Sequence, residues 1–315
     1  MAHILITGAT GYLGTVLVPL LMTSSNRHRV TLAVRDPTKL KLFPLPPRAT
    51  GQIAWVTLPT LLAGDLDLPT PDVICHLAKG RNNNPREVAE SLELMAAIVG
   101  LAREWAVKQF IYTSSQAVYG MAPHPWAENS PPAPVTLYGM MNYASELLLH
   151  SARASMPSIR AISLRLAKLV GPAPVFRLDQ GEAPHLMAAH ALAGRHLTID
   201  GNRNQILDFL DVRDAAAIIL GLVEHTGEQW PEVLNLGGGS PITLAELAQL
   251  TSSITAERYG KPLAFTITDQ GSQLRHFDMS IDCLRGLFPD FTPTPLKQTI
   301  ADICTLLDAS RSAPG

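Results

Sequence analysis

The sequence predicts an α/β fold in which helices cover both faces of a doubly wound parallel sheet, with a smaller C-terminal lobe. Short runs rich in β-branched residues alternate with longer helical patterns over the first 170 residues, which is typical of βαβ units. A glycine-rich turn joins the first strand to the first helix. After residue 171 the alternation gives way to proline-rich stretches, which favours a separate lobe.

The predicted elements follow in that order along the chain. Strands are predicted at 3–8, 29–34, 73–78, 109–115 and 162–170, and helices at 11–25, 88–105 and 137–154. Later helices are predicted at 185–193 and 295–307, while 212–224 and 233–237 are apolar enough to return to the sheet. The proline-rich segments 43–48 and 121–135 predict loops. The predicted domains are therefore interleaved: a larger one of residues 1–170 and 206–238, and a smaller one of 171–205 and 239–315.

Composition excludes several functional classes. Hydrophobic residues make up 46% and charged residues 17% of the 315 residues, as expected for a folded globular chain rather than a disordered one. With 25 basic and 27 acidic residues the net charge is −2, so no summed positive field favours nucleic acid. The three cysteines, Cys75, Cys283 and Cys304, suit a reduced cytoplasmic protein better than a disulfide framework.

Membrane and metal sites are not predicted. The chain starts on a strand pattern, so no secretion signal is expected. Its longest apolar run, 215–223, is far shorter than the roughly 20 residues that span a bilayer. His185 and His190 are five residues apart and would not share a helix face, so they do not form a metal pair.

A glycine motif supplies the first functional signal. Gly8, Gly11 and Gly14 have the spacing GxxGxxG between a predicted strand and a predicted helix. Such glycines permit a tight turn, bring backbone N–H groups close to a pyrophosphate and let the helix pack on the strand. The motif in this context predicts a dinucleotide site rather than a purely structural turn.

Further landmarks carry a family resemblance. They are GDL at 64–66, HLA at 76–78, TSSQAVYG at 113–120, YGMMN at 138–142, RLAKLVGP at 165–172, DFLDVRD at 208–214 and NLGGGSPITLAEL at 235–247. In this order the sequence resembles the extended short-chain dehydrogenases/reductases, the NAD-dependent epimerase/dehydratase family. The resemblance implies a Rossmann-type dinucleotide domain, a smaller C-terminal substrate-binding lobe and a soluble oxidoreductase or epimerase, and it suggests a homodimer.

The residue after the second strand bears on the choice of cofactor. An acidic residue at that place would bind the ribose 2′-OH of NAD, but here Val34 is followed by Arg35. Arg35, with Lys39 one turn further on, suits a 2′-phosphate. We therefore expect NADP(H) to be preferred, while Asp36 leaves NAD(H) open, and a solvated loop charge is the alternative role for Arg35.

The resemblance also implies a set of cofactor-binding residues. Asp65 matches the family residue that contacts adenine. The expected contacts are Gly8, Thr10, Gly11, Tyr12, Leu13, Gly14, Arg35, Lys39, Asp65, Leu66, Leu77, Ala78, Lys79, Ser114, Tyr138 and Leu169.

Ser115 and Tyr138 match the family's catalytic serine and tyrosine. By that resemblance Ser115 polarises a carbonyl, Tyr138 exchanges the hydroxyl proton, and hydride passes from nicotinamide. The family's lysine, four residues after the tyrosine, is replaced by Asn142. Asn142 can hydrogen-bond the ribose but carries no charge.

The missing charge leads to a directional hypothesis. A phenol without a nearby cation has a pKa of about 10 and suits an acid better than a base, so carbonyl reduction is favoured over reactions that begin by deprotonating an alcohol. Lys168 stands where the family commonly has asparagine. It restores the positive charge, grips the nicotinamide carboxamide or the substrate, or is an unrelated lysine at a strand end.

The substrate prediction rests on another departure from the family. Leu207 stands where sugar-nucleotide enzymes of the family usually carry an arginine that holds the diphosphate, although Arg203 or Arg275 could compensate. Trp126, in the loop 121–135, suggests an apolar wall. The sequence thus favours an NADPH-dependent ketoreductase for a bulky, polyketide- or flavonoid-like ketone. The alternatives are an NDP-sugar 4-ketoreductase or epimerase, and a catalytically silent NADP-binding sensor.

Overall fold

The computed structural model describes residues 1–26, 28–42, 52–64, 69–80, 83–176, 178, 181–225, 227, 230–268, 274 and 276–312. The predicted loop at 43–48 lies outside these residues. By its internal contacts the chain divides into two units. The first consists of Met1–Pro123, Glu128–Leu166 and Ala215–Asn235, and the second of His124–Ala127, Ala167–Asp214 and Leu236–Gly315.

A seven-stranded parallel sheet forms the centre of the first unit, which confirms the predicted fold class. Its strands are β1 (His3–Thr7), β2 (Arg29–Val34), β3 (Ile53–Thr57), β4 (Val73–His76), β5 (Gln109–Ser115), β6 (Arg160–Leu166) and β11 (Val233–Leu236). Their order across the sheet is β11-β6-β5-β4-β1-β2-β3. The chain therefore turns to opposite sides of β1, and the crevice at the carboxyl ends of β1 and β4 is where open α/β sheets bind ligands.

Four helices of the first unit connect these strands. They are α1 (Gly14–Thr23), α2 (Leu58–Ala63), α3 (Pro85–Glu104) and α4 (Leu137–Ser155). Asn84 caps α3 by accepting a hydrogen bond from the N–H of Arg86, and Thr136 caps α4 by accepting one from Gly139. These caps explain why two long helices start where they do. The buried face of α3 packs with β4 and β5 in one core that includes Met95, Ile98 and Phe110.

The second unit has its own core. Its helices are α5 (Ala183–Leu192), α7 (Leu244–Tyr259), α8 (Asp282–Leu287) and α9 (Leu296–Ser312), while α6 (Val212–Glu224) begins in it and continues in the first unit. Its strands are β7 (Lys168–Val170), β8 (Leu197–Asp200), β9 (Ile206–Leu207), β10 (Phe209–Asp211), β12 (Ile242–Thr243), β13 (Phe265–Thr268) and β14 (His276–Phe277). The buried residues of this core come mainly from α5, α7 and α9.

Several elements were not expected from the sequence, mostly short ones of the second unit, and three differences have a clear physical reason. The strand expected at 162–170 is two strands, because the chain leaves the central sheet at Ala167 and β7 pairs with β10 instead. Strand β3 lies at the sheet edge with Trp55 54% exposed, so it lacks the apolar pattern that marks its buried neighbours. Helix α7 was not expected, because its apolar residues have no strong helical periodicity, although a capping box between Thr243 and Glu246 marks its N-terminus. No helix among the described residues is long and apolar enough to cross a membrane.

Candidate active site

The glycine turn after β1 has room only for glycine at two positions. Gly8 has φ +73°, and a Cβ there would lie 2.7 Å from the backbone nitrogen of Ala78. A Cβ on Gly14 would lie 2.4 Å from the carbonyl oxygen of Ala9 and 2.5 Å from that of Gly8. The turn is therefore closed against its own backbone and against the segment that follows β4, as a loop that lets a ligand approach its backbone requires.

The N-terminus of α1 fits an anionic ligand. Helix α1 has no side-chain cap at Leu13 and no acidic residue in its first turn. Its first N–H groups and the positive end of its dipole therefore lack the capping side chain that α3, α4 and α7 have. Together with the closed glycine turn, this chemistry fits the pyrophosphate of a dinucleotide.

The segment after β4 fixes the other side of the crevice. The N–H of Leu77 donates to the carbonyl oxygen of Thr7 at 3.1 Å, and the N–H of Ala78 donates to the Thr7 hydroxyl at 3.3 Å. That hydroxyl also lies 2.8 Å from Nδ1 of His76. Burial, aided by the charge of Lys79, lowers the pKa of His76 to about 3, so His76 is a neutral packing group.

Arg35 and Lys39 lie exposed beyond the end of β2. The carboxylate of Asp36, the residue after Arg35, has local partners: its Oδ1 accepts hydrogen bonds from the N–H of Thr38 at 3.0 Å and from the Thr38 hydroxyl at 2.6 Å. These bonds lower the pKa of Asp36. The acidic side chain therefore closes a turn at the start of a 3-10 helix, Pro37–Leu42, while both cations face solvent.

Asp65, Leu66 and Arg275 lie outside the described residues. The adenine contact expected of Asp65 and the diphosphate contact considered for Arg275 stay predictions. Among the residues that the structure does describe, no group of three His, Cys, Asp or Glu side chains is placed to hold a metal ion.

Ser114 and Ser115 end β5 but use their hydroxyls differently. Ser114 is buried and its hydroxyl donates to Oε1 of Glu146 at 2.5 Å. Ser115 accepts a hydrogen bond from the N–H of Ala117 at 3.2 Å as it caps a short 3-10 helix. A hydroxyl that accepts this bond can still donate its own proton, so Ser115 can polarise a carbonyl oxygen whereas Ser114 anchors the strand.

Tyr138 lies in the first turn of α4, where its N–H donates to Oδ1 of Asn83 at 3.0 Å. One turn later Asn142 is fully buried. The amide nitrogen of Asn142 donates to the carbonyl oxygen of Tyr138 at 2.7 Å, and its oxygen accepts from the hydroxyl of Tyr112 at 3.1 Å and from Nζ of Lys79 at 2.8 Å. Asn142 thus ties α4 to β5 and to the segment after β4, a structural role that the sequence did not indicate.

Lys168 and Leu169 belong to the second unit. Nζ of Lys168 lies 2.9 Å from Oε2 of Glu182, so this ammonium has a carboxylate partner in its own unit. Leu169 pairs with Leu210 where β7 meets β10. The cofactor contact expected of Leu169 remains a prediction.

The residues behind the substrate prediction are mostly interior. Leu207 is 4% exposed and belongs to the core of the second unit, and Arg203 is exposed. Trp126 is 1% exposed and packs against His124 and Phe277, with ring centroids 4.4 and 6.0 Å away. Leu207 and Trp126 therefore stabilise the second unit, and their apolar character says little about a ligand.

Sequence reasoning missed one buried ion pair beside the site. Glu146 on α4 and Arg165 on β6 form a two-pronged contact at 3.0 and 2.7 Å, and the Arg165 guanidinium lies 4.5 Å from the centroid of the Tyr119 ring. The only signal was an arginine within an otherwise apolar strand pattern. Lys79 was expected only as a cofactor contact, and its bond to Asn142 had no sequence signal.

Comparison with known proteins gives consistent results. An uncharacterized UDP-glucose epimerase, YtcB of Bacillus subtilis, is 26% identical over 312 residues, covering 90% of this chain and 95% of the relative. A dTDP-4-dehydro-6-deoxy-D-allose reductase of Streptomyces bikiniensis is 23% identical and covers 93% of this chain and 92% of its own.

Solved structures show the same fold. A UDP-glucuronic acid 4-epimerase from Bacillus cereus, in complex with UDP-glucuronic acid and NAD, superposes with a TM-score of 0.81 at 20% identity, covering 98% of this chain and 99% of the other. The sequence model of the NAD dependent epimerase/dehydratase family matches residues 4–237, well over half of the chain. The match confirms the resemblance seen in the sequence motifs, and the chain belongs to the NAD dependent epimerase/dehydratase family.

Proposed function

We propose that the protein is an NAD(P)-dependent oxidoreductase that interconverts an alcohol and a ketone on the sugar ring of a nucleoside-diphosphate sugar. The observation that carries this proposal is the convergence at one sheet edge of the closed glycine turn, Ser115 at the end of β5 and Tyr138 in the first turn of α4. The carboxyl ends of adjacent parallel strands meet there.

The substrate class is supported by the relatives rather than by a ligand. YtcB is described as a UDP-glucose epimerase and the Streptomyces bikiniensis relative as a dTDP-keto-sugar reductase. The bulky-ketone prediction rested on Leu207 and Trp126, and both side chains are buried in the second unit. A sugar nucleotide is therefore the better supported substrate class.

The residues of the chain divide the chemistry between them. A bound nicotinamide cofactor supplies or accepts the hydride. Tyr138 gives the substrate oxygen a proton during reduction and removes it during oxidation. The Ser115 hydroxyl donates a hydrogen bond to the same oxygen, which stabilises the negative charge that develops there.

The choice between NAD(H) and NADP(H) bears on which of two reactions, epimerisation or net reduction, the protein catalyses. Arg35 and Lys39 are exposed beyond β2, while Asp36 is held by Thr38. This arrangement favours a 2′-phosphate and hence NADPH-dependent reduction. We expect Arg35→Ala to weaken NADPH binding about 10-fold or more, the value of one charged hydrogen bond, with little change for NADH. Equal losses for both dinucleotides would argue against a phosphate contact.

The test is turnover by the purified protein with UDP- and dTDP-sugars and their 4-keto derivatives, supplying NADPH, NADH or oxidised cofactor. We expect Tyr138→Phe to lower turnover by roughly 10²–10⁴-fold, the usual contribution of a positioned acid or base, while dinucleotide affinity changes by less than about 10-fold. Tyr143→Phe is the matched control, because Tyr143 lies on the same helix and lines a surface cavity with His150 and Glu232.

Three outcomes separate the candidates. Interconversion of two sugar nucleotides without net consumption of cofactor supports an epimerase, and stoichiometric oxidation of NADPH supports a reductase. Dinucleotide binding with no turnover of any sugar nucleotide, unchanged in Tyr138→Phe, would favour the silent sensor and refute the proposal.

A further inference from the structure

The residue one helical turn after Tyr138 is uncharged, although the proposed chemistry calls for a cation. A phenol in water has a pKa of about 10, and a nearby positive charge is what allows it to lose a proton near neutral pH. Asn142 occupies that place on α4, fully buried. Its side-chain oxygen is held by two donors, the hydroxyl of Tyr112 and the ammonium of Lys79.

Lys79 reaches this place from another part of the fold. It follows β4, and its ammonium donates to the carbonyl oxygens of Thr113 at 2.5 Å and Ser114 at 2.9 Å, and to Oδ1 of Asn142 at 2.8 Å. An ammonium has three protons, so three acceptors in three directions fix its position. From there Nζ lies 5.6 Å from the centroid of the Tyr138 ring.

We propose that Lys79 supplies the positive charge that promotes ionisation of Tyr138, and that Asn142 positions the Lys79 ammonium. Lys79 is thus a positioning residue that acts through Tyr138 by its charge, delivered from the segment after β4 instead of from α4. The inference rests on the proposed function only in that it takes Tyr138 as the proton-transfer group.

The other ionisable groups near Tyr138 leave this effect intact. His76 is neutral near pH 7, because burial and the Lys79 charge lower its pKa to about 3. Burial raises the pKa of Tyr112, which stays protonated. One turn beyond Asn142 on the same face of α4, the charges of Glu146 and Arg165 compensate each other at 2.7 Å.

Helix α3, which packs on α4, contributes one more carboxylate to this region. Glu87 lies beside Gly80, with Oε2 3.1 Å from the place of a Cβ on that glycine. Glu87 is unchanged in every variant proposed below, so its effect cancels when their titrations are compared.

Lys168, the other candidate for the missing cation, has a different environment. Its ammonium lies 2.9 Å from Oε2 of Glu182 in the second unit. An ion pair at this distance compensates its own charge locally. Lys79 instead donates to three uncharged oxygens.

The expected effect on Tyr138 is measurable. Two unit charges separated by a distance on the order of the 5.6 Å between Nζ and the ring centroid, in an effective dielectric constant of about 20, shift a titration midpoint by roughly one to two pH units. Removal of the Lys79 charge is therefore expected to raise the titration midpoint of Tyr138 by about that amount.

The experiment follows Tyr138 ionisation directly in the protein without substrate. The chain has six tyrosines, so the ultraviolet titration of a Tyr138→Phe protein is subtracted from that of each variant in the same background. Lys79→Gln removes the charge and keeps an amide whose two N–H donors can serve at most two of the three oxygens. Lys108→Gln is the matched control, because Lys108 is exposed on the surface and pairs with Asp72.

A charge relocation keeps the test decisive if Lys79→Gln alone folds poorly. In the double variant Lys79→Gln with Asn142→Lys the cation returns to α4, and we expect the Tyr138 midpoint to recover most of the shift. Asn142→Lys alone places two ammonium groups in one cluster and is expected to be the least stable of the set. A Tyr138 midpoint that is unchanged in Lys79→Gln, or one that stays near 10 in a folded double variant, would overturn the proposal.

This readout separates the inference from the proposed function. Failure to turn over any sugar nucleotide would refute the function but leave the Tyr138 titration as evidence on Lys79. A midpoint that moves in Lys168→Gln and not in Lys79→Gln would assign the charge to Lys168. In the active enzyme, the pH at which kcat/KM changes between neutral and alkaline conditions is expected to shift in these variants in parallel with the titration midpoint of Tyr138.

The assignment alters the directional hypothesis. Reduction was favoured because Asn142 carries no charge, but with Lys79 in place the phenol of Tyr138 can also accept a proton near neutral pH. Alcohol oxidation and epimerisation then stand on the same footing as reduction.

Discussion

Replacing Glu146 by glutamine should destabilise the protein by about 3–5 kcal/mol, the usual cost of leaving one partner of a buried ion pair uncompensated. Glu146 on α4 and Arg165 on β6 have side chains only 6% and 4% exposed. Removal of the negative charge leaves the guanidinium in a region from which water is largely excluded. The variant keeps the size and shape of the side chain, so the loss reports the charge rather than a cavity.

The contacts of Glu146 account for a loss of this size. Its Oε1 accepts from Nε of Arg165 at 3.0 Å and from the hydroxyl of Ser114 at 2.5 Å, and its Oε2 accepts from Nη2 of Arg165 at 2.7 Å. Hydrogen bonds to charged groups contribute about 1.5–3 kcal/mol each. A glutamine amide can accept at one atom only and turns its own donor toward a guanidinium.

The assay is urea unfolding followed by circular dichroism, with the free energy of unfolding extrapolated to water. Glu90→Gln is the matched control, since it breaks an exposed pair with Arg86 whose side chains are 43% and 87% exposed. That surface pair should contribute less than about 1 kcal/mol. Equal losses in Glu146→Gln and Glu90→Gln would refute the reasoning, because they would mean that water reaches the inner pair.

A double variant tests whether the loss comes from the uncompensated charge. Glu146→Leu with Arg165→Met removes both charges and should recover most of the stability, since apolar replacements of buried pairs are often neutral. The hydroxyl of Ser114 would lose its acceptor, so a loss of about 1–3 kcal/mol in the free energy of unfolding should remain. A double variant less stable than Glu146→Gln would contradict this account.

Two further predictions concern the glycine turn and a buried carboxyl. Gly14→Ala should cost about 1–3 kcal/mol and weaken dinucleotide binding, because its Cβ would meet the carbonyl oxygens of Gly8 and Ala9 at 2.5 and 2.4 Å. In contrast, Gly100→Ala, in open space on α3, should stabilise by about 0.5–1 kcal/mol, and thermal unfolding compares the two. Burial raises the pKa of Asp208 from 3.8 to about 7, so stability associated with its protonated form is lost as pH rises from about 4 to 7, by up to about 4 kcal/mol. Asp208→Asn should flatten that decline in urea titrations at several pH values, and an identical slope in the variant would show that Asp208 is not its source.

Two buried residues of the second unit bear on whether a position in a family motif identifies a substrate contact. Leu207 matches a position that the resemblance links to diphosphate binding, yet its side chain packs in the core. Asp208, next to it, is 1% exposed, and its Oδ1 accepts a hydrogen bond from the N–H of Gly238 at 3.1 Å. Motif position alone therefore does not show that a side chain reaches a ligand.

The sequence by itself determined the class of fold and predicted where along the chain the candidate site lies. Alternating buried strands and helical patterns require a covered parallel sheet, and the spacing of Gly8, Gly11 and Gly14 requires a closed turn between a strand and a helix. Ser115 and Tyr138 were predicted from sequence motifs, and the family model matches the chain over residues 4–237, which include them. These features are local, since each depends on neighbouring residues and on the period of one element.

Only the tertiary structure decided which side chains meet. Lys79 and Asn142 are 63 residues apart and touch because strand order places β4 beside β5, on which α4 packs. Glu146 finds Arg165 for the same reason, across α4 and β6. No local period encodes such pairs, because hydrogen bonds and ion pairs between distant residues depend on strand order and on the rotation of each helix about its axis. The sequence could identify Asn142 as a missing charge, but only the fold could bring Lys79 beside it.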